Sequence, residues 1–160
     1  MKKCVGLFAG IGGIELGMHY GRFEPGLLCE ILPEAQAVLR EHFPGVDIHP
    51  DVKAIRSIPS DTSLLCAGFP CQDLSSSGQK HGIAGLRSSL VGEVFRLLAK
   101  HKCDWVLLEN VRFMLHLGGG EAMTHITEAL EELGYRWAYR VMNSQNFGVP
   151  QRRERVYILA

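Results

Sequence analysis

Short apolar runs bounded by turn residues alternate along this chain with stretches whose apolar positions recur every three or four residues, the mark of strands alternating with amphipathic helices. Cys4 to Phe8 is such a run; it stops at Ala9-Gly10-Ile11-Gly12-Gly13, after which Ile14, Leu16, Gly17 and Met18 predict a helix. Leu27 to Ile31 is a second run, and Pro33 opens a helix over Glu34 to His42, with Ala35, Val38 and Leu39 at helical spacing and Phe43-Pro44-Gly45 as its stop. Val46 to His49 predicts a short third strand and Asp51 to Ser60 an irregular link. Leu64 to Ala67 is another buried strand, ending at Gly68-Phe69-Pro70-Cys71. From Gln72 to Arg87 the residues turn to Ser, Gly, Gln, Lys and His without apolar periodicity, and a loop of this length inside a compact domain is usually functional. Ser88 or Ser89 caps a helix running to about His101, with Leu90, Val94, Leu97 and Leu98 on one face. Asp104 to Glu109 predicts a strand, Glu121 to Leu133 a helix ended by Gly134, Tyr135 to Met142 a strand, Phe147 to Pro150 a turn and Arg155 to Ala160 the final strand. Strands alternating with helices predict a parallel α/β sheet with right-handed crossovers.

Composition narrows the classes. At 160 residues, 46% apolar and 21% charged, the chain has the makings of one soluble globular domain. It contains no run of about 18 apolar residues, and its start turns glycine-rich before a signal-peptide core develops, which argues against a membrane span and against secretion. Seventeen basic and seventeen acidic residues cancel, so holding nucleic acid by bulk electrostatics is disfavoured while local basic patches remain open. Five cysteines without a C-x-x-C pair form neither a disulfide framework nor a zinc site; a reducing compartment fits, with four of them read as small buried hydrophobes. Seven scattered histidines make no ligand spacing, so no metal is expected.

In open parallel sheets ligands lie at the carboxyl ends of the strands. The residues found there are the Ala9–Gly13 turn, Glu30, Phe69 to Gln72, Glu109-Asn110-Val111, and Gln151-Arg152-Arg153-Glu154-Arg155. The glycine turn has the form of a nucleotide site, with backbone open to close approach and helix N–H groups beyond it; tight strand-helix packing is the competing reading. Glu30, twenty residues beyond Gly10, stands at the spacing of a ribose-binding acid. Gly10-x-Gly12-Gly13 departs from G-x-G-x-x-G and leans toward an adenosine ligand lacking a diphosphate. Cys71 opens the polar loop after a proline and is a candidate nucleophile, the alternative being an incidental loop thiol. Glu109 closes a strongly apolar strand, so partial burial can raise its pKa for proton transfer, against a plain surface acid.

Taken together, Phe8 to Gly13, Gly68-Phe69-Pro70-Cys71-Gln72, Glu109-Asn110-Val111 and Gln151-Arg152-Arg153-Glu154-Arg155, in this order and at these separations, resemble the DNA cytosine-5 methyltransferase family over essentially the whole chain. The resemblance implies the Rossmann-like α/β sheet of S-adenosyl-L-methionine-dependent methyltransferases, mostly parallel with its last strand antiparallel. It implies a cofactor site at Phe8, Gly10 and Gly12, with Glu30 on the ribose, Ile31 beside the adenine, and Asp51, Val52 and Leu90 completing it. Cys71 matches the nucleophile, Glu109 the carboxyl group engaging the cytosine ring, Arg155 a second ring contact and Arg153 a helper near the nucleophile. The segment from Ser75 through Lys80 to Arg87 matches a mobile loop that closes over a base flipped from double-stranded DNA.

The chain departs from the family pattern at Gly6, where an acidic residue near the methionine moiety is usual, and in the loop end Gly85 to Leu90, where the arginine and leucine are kept. It also stops at Ala160, before the family's target-recognition region and two further motifs. The expectation is therefore residues 1–160 as a catalytic and cofactor-binding domain of a bacterial cytoplasmic or phage-encoded enzyme, truncated or split, completed by a second polypeptide that carries target recognition. The alternatives are an inactive or partner-dependent cofactor-binding module, the same chemistry on tRNA, and, more distantly, a nicotinamide-dependent oxidoreductase.

Overall fold

The computed structural model describes residues 1–70 and 89–160. Its elements are β1 (Lys2–Leu7), α1 (Gly13–Tyr20), β2 (Phe23–Cys29), α2 (Pro33–His42), β3 (Asp47–His49), β4 (Thr62–Gly68), α3 (Leu90–Lys100), β5 (Trp105–Val111), α4 (Glu121–Glu132), β6 (Ala138–Asn143) and β7 (Glu154–Leu159). Short 3₁₀ turns cover Val52–Ala54 and Ser144–Phe147, and in Arg112–Gly120 the 3₁₀ backbone is interrupted by non-helical Leu117, Gly118 and Gly119. The sheet has seven strands in the order β3-β2-β1-β4-β5-β7-β6. The chain divides into two compact units, Met1–Gly68 with Leu97–Val106 and Phe69–Arg96 with Leu107–Ala160.

In the first unit β1 pairs in parallel with β2 and with β4, and β2 pairs in parallel with β3. Cys4 to Leu7 and Leu64 to Ala67 are buried without alternation, as expected of parallel strands covered on both faces. The thiols of Cys4, Cys29, Cys66 and Cys103 are all buried. Burial pushes the first two up to about 12 and Cys103 to about 11, and raises Cys66 as well, so these are packing residues and not nucleophiles.

In the second unit β7 runs antiparallel to both β5 and β6. Burial along β5 alternates strictly, which turns Val106, Leu108 and Asn110 to the core side and Leu107, Glu109 and Val111 to the other. The strand runs two residues past Glu109, so the acid lies within it and not at its end. β6 starts at Ala138 instead of Tyr135 because the Tyr135 amide bonds back to Leu130 O, completing the stop of α4 at Gly134. Ser89 caps α3, its Oγ accepting from the Gly92 amide at 3.2 Å, and Val91, Val94, Phe95, Leu97 and Leu98 form the helix's buried face, with Leu90 half-buried. Among the described residues no helix is long and apolar enough to cross a membrane.

Candidate functional site

In the first unit the candidate site is the turn from β1 to α1. Phe8 (φ +56°), Gly10 (φ +56°) and Gly12 (φ +87°) all take left-handed backbone, which costs a phenylalanine about 1–2 kcal/mol. Such conformations persist where the surroundings over-determine them, often at ligand clamps. Here the Ala9 amide is held by Cys29 O at 2.9 Å and the Gly12 amide by Ala9 O at 2.9 Å. The turn is closed on one side only. A Cβ at Gly12 would overlap the Phe43 ring and lie 2.9 Å from Leu39 Cδ2, whereas Gly10 and Gly13 have no heavy atom within 4 Å of that point.

Glu30 braces this turn. It is 8% exposed, its Oε2 accepts the Gly10 amide at 2.8 Å and its Oε1 the Leu32 amide at 2.9 Å, while Gln36 Nε2 donates to Glu30 O at 2.7 Å. Spacing alone marks Glu30 as an acceptor for ribose hydroxyls; the structure adds that each carboxylate oxygen already orders a backbone amide. Each keeps a further lone pair, so bracing and ligand binding are compatible. Ile31 follows with its side chain exposed. Asp51 is exposed and caps the next turn through Oδ1 and the Lys53 amide (2.9 Å), with Val52 buried behind it. Open glycine backbone, a fixed carboxylate and an exposed aliphatic side chain suit an adenosine-type cofactor. Of the eight cofactor candidates, Phe8, Gly10, Gly12, Glu30, Ile31, Asp51 and Val52 lie in this unit; Leu90 belongs to the second, where it opens α3.

The second unit holds the acid-base candidates. Glu109 on β5 and Arg155 on β7 sit diagonally across the antiparallel ladder, and Arg155 Nε lies 3.0 Å from Glu109 Oε1, both side chains about one-fifth exposed. Burial pushes the Glu109 carboxyl above the usual range, and the Arg155 and Arg153 guanidinium charges hold it back. Glu109 thus holds its proton more tightly than an ordinary carboxyl, by less than burial alone would bring about. Beside the pair, Met142, Ser144, Phe147, Arg153, Arg155 and Tyr157 line an open cleft of about 230 Å³.

Backbone ties explain why Arg153 sits there. The Ser144 amide donates to Arg153 O at 3.1 Å, and Asn143 Oδ1 accepts the amides of both Gln145 and Arg153. Asn110, nearly fully buried, donates from Nδ2 to Phe69 O at 2.9 Å and accepts the Val111 amide on Oδ1, fastening the Phe69-Pro70 step to β5. That role was invisible in the sequence because it joins residues 41 apart. Also missed was Glu15, an acid buried to 1% exposure on α1, where only the residue facing it, Gly6, hinted at the space it occupies. Cys71, Ser75, Lys80 and Arg87 lie outside the described residues.

Residues 2–160 match the model of the C-5 cytosine-specific DNA methylase family, and the chain belongs to that family. It is 51% identical over 162 residues to the Type II methyltransferase M2.BsuMI of Bacillus subtilis (strain 168), covering 99% of this chain and 41% of that protein. It is 40% identical over 166 residues to M.BanI of Aneurinibacillus aneurinilyticus, covering 98% of this chain and 38% of that protein. The chain therefore spans about two-fifths of the length of these curated relatives. Among solved structures the Dnmt2 methyltransferase of S. pombe superposes with a TM-score of 0.76 at 20% identity, covering 99% of this chain and 50% of that one. This likeness shows the fold: the mostly parallel methyltransferase sheet with its last strand antiparallel.

Proposed function

We propose that this chain is the cofactor-binding and catalytic part of a DNA cytosine-5 methyltransferase, active in the bacterial cytoplasm and completed by a target-recognition half. The observation that carries the reading is the Glu109–Arg155 pair beside an open cleft, on the strand whose next residue, Asn110, fastens the segment leading to Cys71. The turn of Phe8, Gly10 and Gly12 with Glu30, Ile31, Asp51, Val52 and Leu90 would hold S-adenosyl-L-methionine, which would supply an electrophilic methyl group on a sulfonium.

Cytosine C5 is too weak a nucleophile to accept such a group unaided, and the residues of this chain supply the activation. The Cys71 thiolate attacks C6, forming a C–S bond and moving the C5–C6 electron pair toward C5 and N3. Glu109 in its protonated form donates to N3 as negative charge collects there, with Arg155 toward O2 and Arg153 favouring the thiolate. After substitution at C5, solvent water takes the C5 proton, the C–H electron pair re-forms the C5–C6 double bond and expels the Cys71 thiolate, and the N3 proton returns to Glu109. C6 is unreachable inside a duplex, so the base must be extruded, and the Ser75 to Arg87 segment, with Lys80, is the candidate for closing over it.

Crosslinking tests this. A duplex carrying 5-fluorocytosine in place of the target base cannot release the C5 substituent, so with cofactor and the target-recognition half supplied it is expected to trap a covalent adduct in wild type and none in Cys71→Ala. No adduct in wild type, or one that survives Cys71→Ala, overturns the mechanism. An adduct with tRNA instead of duplex DNA would reassign the substrate.

A further inference from the structure

Gly6 leaves a gap in β1, and an acid from another element fills it. A Cβ at Gly6 would overlap Glu15 Oε1 and lie 2.8 Å from Glu15 Cδ. Glu15 stands in the first turn of α1, directly after the glycine turn; it is 1% exposed, and its Oε2 has no hydrogen-bond partner among the described residues. Leu28 of β2 packs against the same point, and the titratable groups facing the carboxyl are the Cys4 thiol of β1 and the Cys66 thiol of β4. Burial keeps both thiols neutral, and among the described residues no cation offsets a charge on Glu15, whose own backbone amide alone favours the anion. Burial also pushes the carboxyl up to about 7, leaving it divided between its two forms near neutral pH. A buried carboxylate in this state is stabilised by whichever cation arrives nearby, and buried pairs are little screened by salt.

We propose that Glu15 is a positioning and specificity residue of the cofactor turn: its carboxylate, lodged in the space over Gly6 behind that turn, favours a positively charged ligand over a neutral one. The assignment rests on the cofactor reading above. S-adenosylmethionine carries a sulfonium charge that S-adenosylhomocysteine lacks, so Glu15 would favour the methyl donor over the spent product. Because the donor's charge draws Glu15 toward its anionic form, donor binding expels a proton, and affinity for the donor gains as pH rises through neutrality.

The test is calorimetry on the whole chain, wild type against Glu15→Gln, with each compound separately at pH 6 and pH 8. Using the ratio of wild-type to variant affinity cancels titration of the ligands themselves. For S-adenosylmethionine this ratio is expected to rise about tenfold between the two pH values, the change in the anionic fraction of a group titrating near 7, and for S-adenosylhomocysteine less than about twofold. Equal ratios for the two compounds, or a flat ratio for the donor, would overturn the role of Glu15 while leaving cofactor binding intact. No binding of either compound to either protein would overturn the cofactor reading and this assignment with it. Should Glu15→Gln fail to fold, carbon-13 carboxyl spectra of glutamate-labelled wild type decide: the signal titrating near neutrality must move to lower pH with the donor and not with the product.

Discussion

Glu109 shows how one residue's environment sets its chemistry. Burial alone would make it a plain acid, but Arg155 at 3.0 Å and Arg153 pull it back toward the anion, and burial wins only in part. Because the folded chain holds the Glu109 proton more tightly than the unfolded chain does, its contribution to stability is fully present below the ordinary carboxylate range and is lost as pH rises through the raised folded value. Replacing Arg155 with Gln removes the largest opposing charge. The Glu109 titration, followed by its carboxyl carbon resonance, should then move higher, and urea unfolding should show the pH-dependent loss of stability extending to higher pH. An unchanged or lower titration would mean that the pair is not coupled. Glu109 was legible in the sequence as an acid on an apolar strand. Glu15 was not, since an acid in a helix's first turn is ordinarily a solvated complement to the helix dipole, and only the missing side chain at Gly6 makes it a buried one.

Among elements, the strand-turn-helix from β1 to α1 separates a packing glycine from one that faces open space. Gly12→Ala sets a Cβ against Phe43 and Leu39 in left-handed backbone, so it should cost about 1–3 kcal/mol from overpacking, beyond its backbone strain, seen as a lower melting temperature. Gly10→Ala meets open space, so its cost should be confined to the backbone, about 1–2 kcal/mol, while its Cβ enters the space that the proposed function assigns to the cofactor. Calorimetry should therefore find cofactor binding weakened in Gly10→Ala out of proportion to its stability loss; the reverse ranking of the two variants would contradict the one-sided turn. The order and type of every described strand and α-helix were legible, because apolar periodicity reports which face is buried. The ends were less so. β5 continues past its apolar run because Asn110 and Val111 pair with Val156 and Arg155, partners far away in sequence. The short 3₁₀ turns left no periodic signal at all.

At the scale of the molecule, the balance of seventeen against seventeen charges acquires a location. In the arginine cluster around the motif Arg155 pairs with Glu109, and Arg112 and Arg152, both more than half exposed, share Glu154. Among the described residues Arg153 is the member of this cluster without an ion pair, and the sequence adds Lys80 and Arg87 in the segment expected to meet DNA. Each phosphate neutralised contributes about −0.9 to the slope of log K against log salt concentration. Three such cations predict a slope near −3 for this chain alone on a duplex of arbitrary sequence, measured by fluorescence anisotropy, and weak binding at physiological salt. Arg153→Gln should flatten that slope by about one unit. A slope steeper than about −5, or one indifferent to Arg153, would require a phosphate-binding surface elsewhere on the chain. Unpaired local charge, more than net charge, thus sets how a chain meets phosphate. A neutral chain can still present local positive charge, here the Arg153 guanidinium beside the Glu109–Arg155 pair.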